Sequence, residues 1–353
     1  MPERPLRVGL SGTGFGVRAH LPALRAHPAF ELVAVASPSS ALRVASERGI
    51  PHAFASCIEM VAAIDLDAVV VASPPFAHRD DVGAALSRRL HVLCEKPFAL
   101  SVAEAEELVR AADDAGTVCG LVHEFRFIPQ RAAIKELVAN GHLGEIREIE
   151  ITHLSRFLAT DRQRPRGWWF DRRRGGGIAG ALLSHLIDAA TWTVGRAPRA
   201  YCGRVRTAVV ERTDSSGRFR SEADDGAFAL VDYGGGTIAR LTADGTCAVE
   251  SFTFAVHGSA RTAVASGTTP FDLRLFTVDD DETAELECTP PPYRRFAAVD
   301  PHVPYVMELY DHFAAAIAGR PHALPTFREA LETQRVLEAI GYSTDNTSSA
   351  TSS

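Results

Sequence analysis

The chain lacks every cysteine arrangement that would announce a metal or redox centre, with no CxxC pair and no run of cysteine and histidine at ligand spacing. Its six cysteines, Cys57, Cys94, Cys119, Cys202, Cys247 and Cys288, are widely scattered, so they are expected to be reduced packing residues. No apolar run is long enough to cross a bilayer, and Glu3 and Arg4 lead directly into a short apolar strand with no leader-like segment. No membrane partner and a cytoplasmic location are therefore expected. Positive charge is short too. With 37 Lys+Arg against 44 Asp+Glu, the formal charge of -7 provides no basic field for nucleic acid. The one dense cationic run, Arg172, Arg173 and Arg174, reads as a solvated loop, with a phosphate or acid contact as the alternative.

What is present fits two globular domains. The 353 residues are 46% hydrophobic and 23% charged, an ordinary balance for a folded enzyme-sized chain. Over residues 1–122, short β-branched runs at Leu6–Ser11, Glu31–Ala36, Ala68–Ala72, Leu90–Cys94 and Val118–Val122 alternate with amphipathic stretches at Phe15–Ala26, Ser39–Arg48, His78–Arg88 and Ser101–Ala115. That alternation predicts βαβ units and a parallel sheet, the α/β layout of a dinucleotide-binding Rossmann domain. Past a helix near Pro129–Ala139, residues 123–342 change to longer alternating strands at Ile146–Ser155, Tyr201–Val210, Ala227–Asp232, Thr237–Ala243 and Val249–His257. These predict a mostly antiparallel α+β domain, closed by helices at Tyr305–Ala318 and Phe327–Tyr342. The Ser/Thr-rich residues 343–353 are expected to be a disordered tail.

Gly12-Thr13-Gly14-Phe15-Gly16 follows the first strand and opens a helix. In that context glycine lets the backbone approach a pyrophosphate, while the helix N-terminus supplies N–H groups and positive dipole. Val17 takes the usual third glycine position, so a looser helix–strand contact is expected. The second strand ends at Ser37 rather than at the Asp or Glu that binds both ribose hydroxyls of NAD. Ser37, Ser39 and Arg43 would suit a 2′-phosphate, so NADP is the expected cofactor, with NAD as the alternative.

Lys96 stands where a parallel strand ends, the edge at which open α/β sheets place ligands. The following Pro97 fixes the backbone and permits a cis bond. On a helix predicted over Ala181–Val194, Ala181, His185, Asp188 and Trp192 form one stripe, opposite a packing face of Leu182, Leu183, Leu186, Ile187 and Ala190. Histidine as a residue type titrates near neutrality, which makes His185 a candidate proton carrier. Substrate contacts are expected from His123, Arg126, His153, Arg156, Arg166 and Trp168, although His153 shares a strand face with Ile149 and Ile151 and is equally a structural histidine.

Several of these motifs together resemble the Gfo/Idh/MocA oxidoreductase family over nearly the whole chain. They are the glycine loop through His20 and Pro22, Ser73-Pro74-Pro75 with His78, Glu95-Lys96-Pro97, the turn Gly141–Ile146, and Gly175-Gly176-Gly177 leading to His185 and Asp188. The resemblance implies a Rossmann domain followed by a mostly antiparallel sheet, a nicotinamide facing that sheet, and dimers or tetramers. It implies cofactor contacts at Ser73, Pro74, His78, Glu95 and Lys96, with Lys96 polarising the reacting oxygen of a sugar or polyol. The family's dehydrogenases often carry an aspartate one turn before the histidine; this chain has Ala181, leaving Asp188 to orient the imidazole from the other side. The expected activity is hydride transfer with Lys96 and His185 acting on one substrate. The alternatives are an NAD-dependent glycosidase working by oxidation and elimination, and a non-catalytic dinucleotide sensor.

Overall fold

The short valine- and leucine-rich runs form parallel strands that are largely buried, Ala68–Val71 completely so. A computed structural model of the chain describes residues 4–161, 164–267, 272–278 and 283–343. The expected tail therefore lies, apart from Ser343, outside the described residues. Strands β1 (Leu6–Ser11), β2 (Phe30–Ala36), β3 (His52–Phe54), β4 (Ala68–Val71), β5 (His91–Cys94) and β6 (Cys119–Leu121) pair in the order β3-β2-β1-β4-β5-β6, all parallel. The helices between them are α1 (Leu21–Ala26), α2 (Ala41–Arg48), α3 (Cys57–Ala63), α4 (Pro75–Ser87) and α5 (Val102–Ala115). The strand order reverses between β1 and β4, which makes the loops after those strands the ligand edge of the sheet. The sequence reading passed over β3 and α3, since a three-residue, partly exposed strand has no periodic signal.

Chain contacts separate two compact units. The first holds the parallel sheet together with residues Pro290–Leu331, a stretch the sequence reading had assigned whole to residues 123–342. Its core joins Leu10, Val35, Val70 and Leu93 to Val306, Leu309, Tyr310 and Phe313 of a late helix. Apolar packing, blind to chain order, decides this allegiance.

The second unit contains α6 (Pro129–Ala139), β7 (Ile146–Leu154), α7 (Ser184–Val194) and strands β8 (Ala200–Arg206), β9 (Glu211–Asp214), β10 (Gly217–Arg220), β11 (Gly226–Asp232), β12 (Ile238–Asp244), β13 (Ser251–Gly258), β14 (Arg261–Ser266), β15 (Asp272–Thr277) and β16 (Thr283–Glu287). Two late helices, α8 (Val303–Ile317) and α9 (Phe327–Ala339), complete the described elements. An eight-stranded sheet runs β16-β15-β14-β13-β7-β12-β11-β8, antiparallel except for the β7–β12 pair. Alternation along β7 buries Ile149 and Ile151 under Leu183, Leu186 and Ile187 of the helical layer, while Glu148 and Glu150 pair with Arg240 on the other face. Strand β8 stops short of the predicted Val210 because the Asp225 carboxylate takes the Ala208 and Val209 amides, each at 2.8 Å. No helix among the described residues is long and apolar enough to cross a membrane.

Candidate functional site

The glycine loop leaves β1 at the sheet's ligand edge. Gly12 has φ +99°, and a Cβ there would stand 2.1 Å from the Ala72 carbonyl oxygen, so only glycine fits. Gly14 meets no atom within 4 Å of a built Cβ, leaving the open backbone that a pyrophosphate would cover. These two features fit a dinucleotide. The helix–strand contact expected to loosen at Val17 is instead made by Gly16, whose Cβ position lies 3.3 Å from Leu10 and 3.4 Å from Ala72. The predicted helix at Phe15–Ala26 begins as a wide π-helical turn at Gly16–His20, with the Leu21 amide bonding the Gly16 carbonyl. Wide turns of this kind concentrate at functional segments.

At the end of β2 three hydroxyls meet. Thr13 Oγ1 lies 3.2 Å from Ser37 Oγ and 2.6 Å from Ser40 Oγ, and the two serines are 3.0 Å apart. Ser40, which the sequence reading passed over, thus joins Thr13 and Ser37. Arg43 pairs with Glu47 one turn along α2, at 2.9 Å and largely in solvent.

The loop after β4 is tied down by Asp81, whose carboxylate accepts from Ser11 Oγ at 2.8 Å and Ser73 Oγ at 2.7 Å. Burial raises the Asp81 carboxyl despite these bonds. Pro74 precedes α4, and His78 on that helix is fully buried between the Ser73 carbonyl (2.9 Å) and the Pro97 carbonyl (3.0 Å). One imidazole therefore links the loops that follow β4 and β5. Burial pushes the His78 imidazole below its ordinary value, against its carbonyl bonds and the charges of Glu95 and Asp81.

Lys96 follows β5, and its bond to Pro97 is cis. Its own amide donates to Glu95 Oε2 at 3.2 Å, and Glu95 Oε1 lies 2.9 Å from His20 Nε2. Burial works against Glu95 ionisation, but the His20 bond and the charges of His20, Lys96 and His78 outweigh it and hold the carboxyl below its usual range. The sequence carried a further signal: Lys96 and Lys135 are the only lysines in the chain, the other basic residues being arginine. Lys135 Nζ is committed to the Trp192 carbonyl at 2.7 Å. A lysine at position 96 offers a compact point charge that suits contact with a single oxygen.

In the second unit, His185 and Asp188 lie on α7 and are each 2% exposed, so their stripe is no solvent face. The expected regular helix at Ala181–Val194 is preceded by a π-helical turn at Ala179–Leu183, where the Ser184 hydroxyl donates to the Gly180 carbonyl at 2.7 Å and the Ser184 amide reaches Ala179. Asp188 raises the buried Tyr233 phenol further, after burial itself. The start of this segment is anchored by Asp224, which accepts the Ala179 amide at 2.7 Å. Gly177, with φ +109°, leaves no room for a side chain, because its Cβ position is 2.3 Å from Asp224 Oδ2. That contact accounts for the last glycine of the run Gly175-Gly176-Gly177.

Burial pushes the Asp224 carboxyl up to about 7, over the opposing bonds from Ala179 and Ile178 and the pull of Arg172. The folded chain therefore keeps a proton that the unfolded chain releases near pH ~4, and stability falls as pH rises from about 4 to about 7. In that window the Asp224 contribution costs about 1 kcal/mol per pH unit. Urea unfolding across the window should show a flatter pH dependence for Asp224→Asn than for the parent.

The expected substrate residues are placed in different ways. His123 and Arg126 belong to the first unit, where Arg126 is 2% exposed and pairs with Glu329 at 2.9 Å. His153 packs edge-on to Phe252 with centroids 5.9 Å apart, and burial, then Arg131, lower it to about 4. It is neutral at physiological pH. Trp168 and Trp169 contact edge to face at 5.8 Å, and the Arg164 guanidinium lies 4.0 Å over the Trp169 ring. The Arg156 guanidinium donates to the Ala248 carbonyl. Arg166 is exposed, its amide held by Asp214 at 2.7 Å. Arg172 and Arg173 border an open cavity of about 380 Å³ with Arg220, Thr207 and Ser221.

The chain matches the model of an oxidoreductase family with an NAD-binding Rossmann fold over residues 6–123, and the GFO/IDH/MocA C-terminal domain over residues 132–264. It belongs to the Gfo/Idh/MocA oxidoreductase family. Among curated relatives, 1,5-anhydro-D-fructose reductase of Ensifer adhaerens is 30% identical over 61% of this chain and 61% of that protein. Levoglucosan dehydrogenase of Pseudarthrobacter phenanthrenivorans is 26% identical over 72% of each. The chain spans 56% and 61% of the length of the first curated relatives it matches. The crystal structure of an oxidoreductase domain protein from Kribbella flavida superposes with a TM-score of 0.86 at 25% identity, covering 96% of this chain and 97% of that one.

Proposed function

We propose that the protein transfers a hydride between NADP and a carbinol carbon of a sugar, cyclitol or related polyol. The observation carrying this reading is Lys96 at the end of β5, in a loop held by His78 and Glu95, on the ligand edge that also bears the Gly12–Gly16 cradle. Two relatives bear the names of a sugar-derivative reductase and dehydrogenase, which supports the substrate class. Bound NADP would supply the hydride acceptor in oxidation, and bound NADPH the donor in reduction. The Lys96 ammonium hydrogen-bonds the reacting oxygen and steadies the charge that grows on it. His185 takes the hydroxyl proton as the C–H bond breaks and returns it in reduction. The Gly12 and Gly14 backbone, with the amides of the following turn, binds the pyrophosphate.

Ser37 directly after β2, where an Asp or Glu would bind the ribose hydroxyls of NAD, supports NADP. In Ser37→Asp the new charge would repel a 2′-phosphate and bind ribose hydroxyls. Fluorescence titration should show the NADPH-to-NADH affinity ratio falling by about 10-fold or more, equivalent to about 1.4 kcal/mol. The activity itself is tested by incubating the purified full chain with NADP and NAD and a panel including levoglucosan, D-xylose, D-glucose and myo-inositol, and with reduced cofactor and 1,5-anhydro-D-fructose. Absorbance change at the reduced nicotinamide band is expected with at least one sugar or cyclitol. Turnover confined to hydroxy acids, or none with any polyol in either direction, overturns the reading.

A further inference from the structure

Three buried side chains of the first unit connect the late helix α8 to the loop that carries Lys96. The Tyr310 hydroxyl lies 2.8 Å from His20 Nδ1, His20 Nε2 lies 2.9 Å from Glu95 Oε1, and Glu95 Oε2 accepts the Lys96 amide at 3.2 Å. His20 and Tyr310 are both 0% exposed, and Glu95 is 7% exposed. Water therefore does not compete for these bonds. An ionised carboxylate only accepts, so His20 Nε2 donates to Glu95; Nδ1, the other ring nitrogen, is held by the Tyr310 hydroxyl, which can accept from it or donate to it. The tyrosine thus fixes the ring orientation that turns Nε2 toward Glu95.

We propose that Tyr310, His20 and Glu95 form a positioning relay for Lys96, keeping a carboxylate anchored and charged immediately beneath the lysine. The inference rests on the reading of Lys96 as the group that touches the reacting oxygen. The titratable groups facing Glu95 are His20 from the turn after the glycine loop, His78 from α4, Cys94 from β5, Tyr310 from α8 and Lys96 itself. Cys94 and Tyr310 are both pushed up by burial first, with Glu95 adding to the effect, so neither competes as an anion. Phe15 of the glycine loop closes one side, its ring edge-on to His20 at 5.6 Å. A tyrosine whose hydroxyl merely filled space would not hold the imidazole against Glu95, and the two roles separate experimentally.

The test follows protonation of Glu95 by pH-difference infrared spectroscopy of the full chain, with Glu95→Gln as the blank that assigns its carboxylic-acid band. In Tyr310→Phe, which removes one oxygen from the same ring, the band should appear about one pH unit higher than in the parent. In His20→Leu it should appear about two units higher. With a polyol that supports turnover, the acid limb of the kcat profile should shift upward in parallel in Tyr310→Phe, while NADH and NADPH affinities at pH 8 stay within about twofold. An unmoved infrared band in Tyr310→Phe overturns the relay even where His20→Leu fails to fold. A moved band with an unmoved kcat limb overturns its role in positioning. Full activity in Lys96→Ala is a separate result that removes the reading of Lys96 and leaves the infrared outcome standing.

Discussion

In Lys96→Ala, kcat for polyol oxidation is expected to fall by about 10²- to 10⁴-fold, the range for losing a group that manages charge and proton at the reacting centre. The dissociation constants of NADP and NADPH should move by less than about threefold, since the pyrophosphate cradle lies in the loop after β1 and the lysine in the loop after β5. Lys96→Arg should rescue little. A guanidinium keeps its charge over the working pH range but is bulkier and planar, so it does not present the compact point charge that the ammonium sets against the reacting oxygen. Steady-state kinetics with a fluorescence titration of each variant provides both readings. A Lys96→Ala enzyme with unchanged kcat would place the chemistry elsewhere.

The second large effect is expected at the glycine loop, where adjacent glycines should fail for different reasons. Gly12→Ala forces a Cβ to 2.1 Å from the Ala72 carbonyl at a φ of +99°, so the loop after β1 must separate from the loop after β4. The combined backbone strain and overpacking cost roughly 3 kcal/mol or more, with cofactor affinity lost as the loop moves. Gly14→Ala has open space at its Cβ and no left-handed backbone, so its stability should stay within about 0.5 kcal/mol. Its dinucleotide affinity should nevertheless fall by about 10-fold or more, because the methyl group occupies the surface a pyrophosphate would approach. Urea unfolding separates the two variants, and NADPH titration reunites them. Equal loss of stability in both would mean that Gly14 is structural.

Much of the nucleotide edge is legible in residue order. Gly12 to Gly16, Ser37, Pro74 and Glu95-Lys96 are each tied to the end of a short apolar run, and a strand ending in a glycine turn leaves little freedom in where its next residues emerge. The π-helical turns were not legible. Periodicity predicts helix through both Phe15–Ala26 and Ala181–Val194, while the widening arises from a particular backbone pairing, such as Ser184 reaching Ala179 rather than Gly180. Arg126 shows the reverse difficulty: its charge suggests a substrate contact, and no local pattern announces the ion pair it makes with Glu329, distant in sequence. For His153 strand alternation offers two readings, a substrate contact and a structural histidine, and the structure adds the ring contact with Phe252 and an imidazole lowered by burial and then Arg131.

Residue order by itself determined the alternating units, the glycine cradle, the lysine at a strand end and the glycine run before the helix of His185, because each depends on backbone conformation within a few positions. Only the tertiary structure decided that Asp81 fastens Ser11 to Ser73, that residues Pro290–Leu331 join the first unit, and that Tyr310 reaches His20 across 290 positions and His20 reaches Glu95 across 75. Those bonds join residues that share no local pattern. They form where packing excludes water and leaves each buried polar group to find its partner in space.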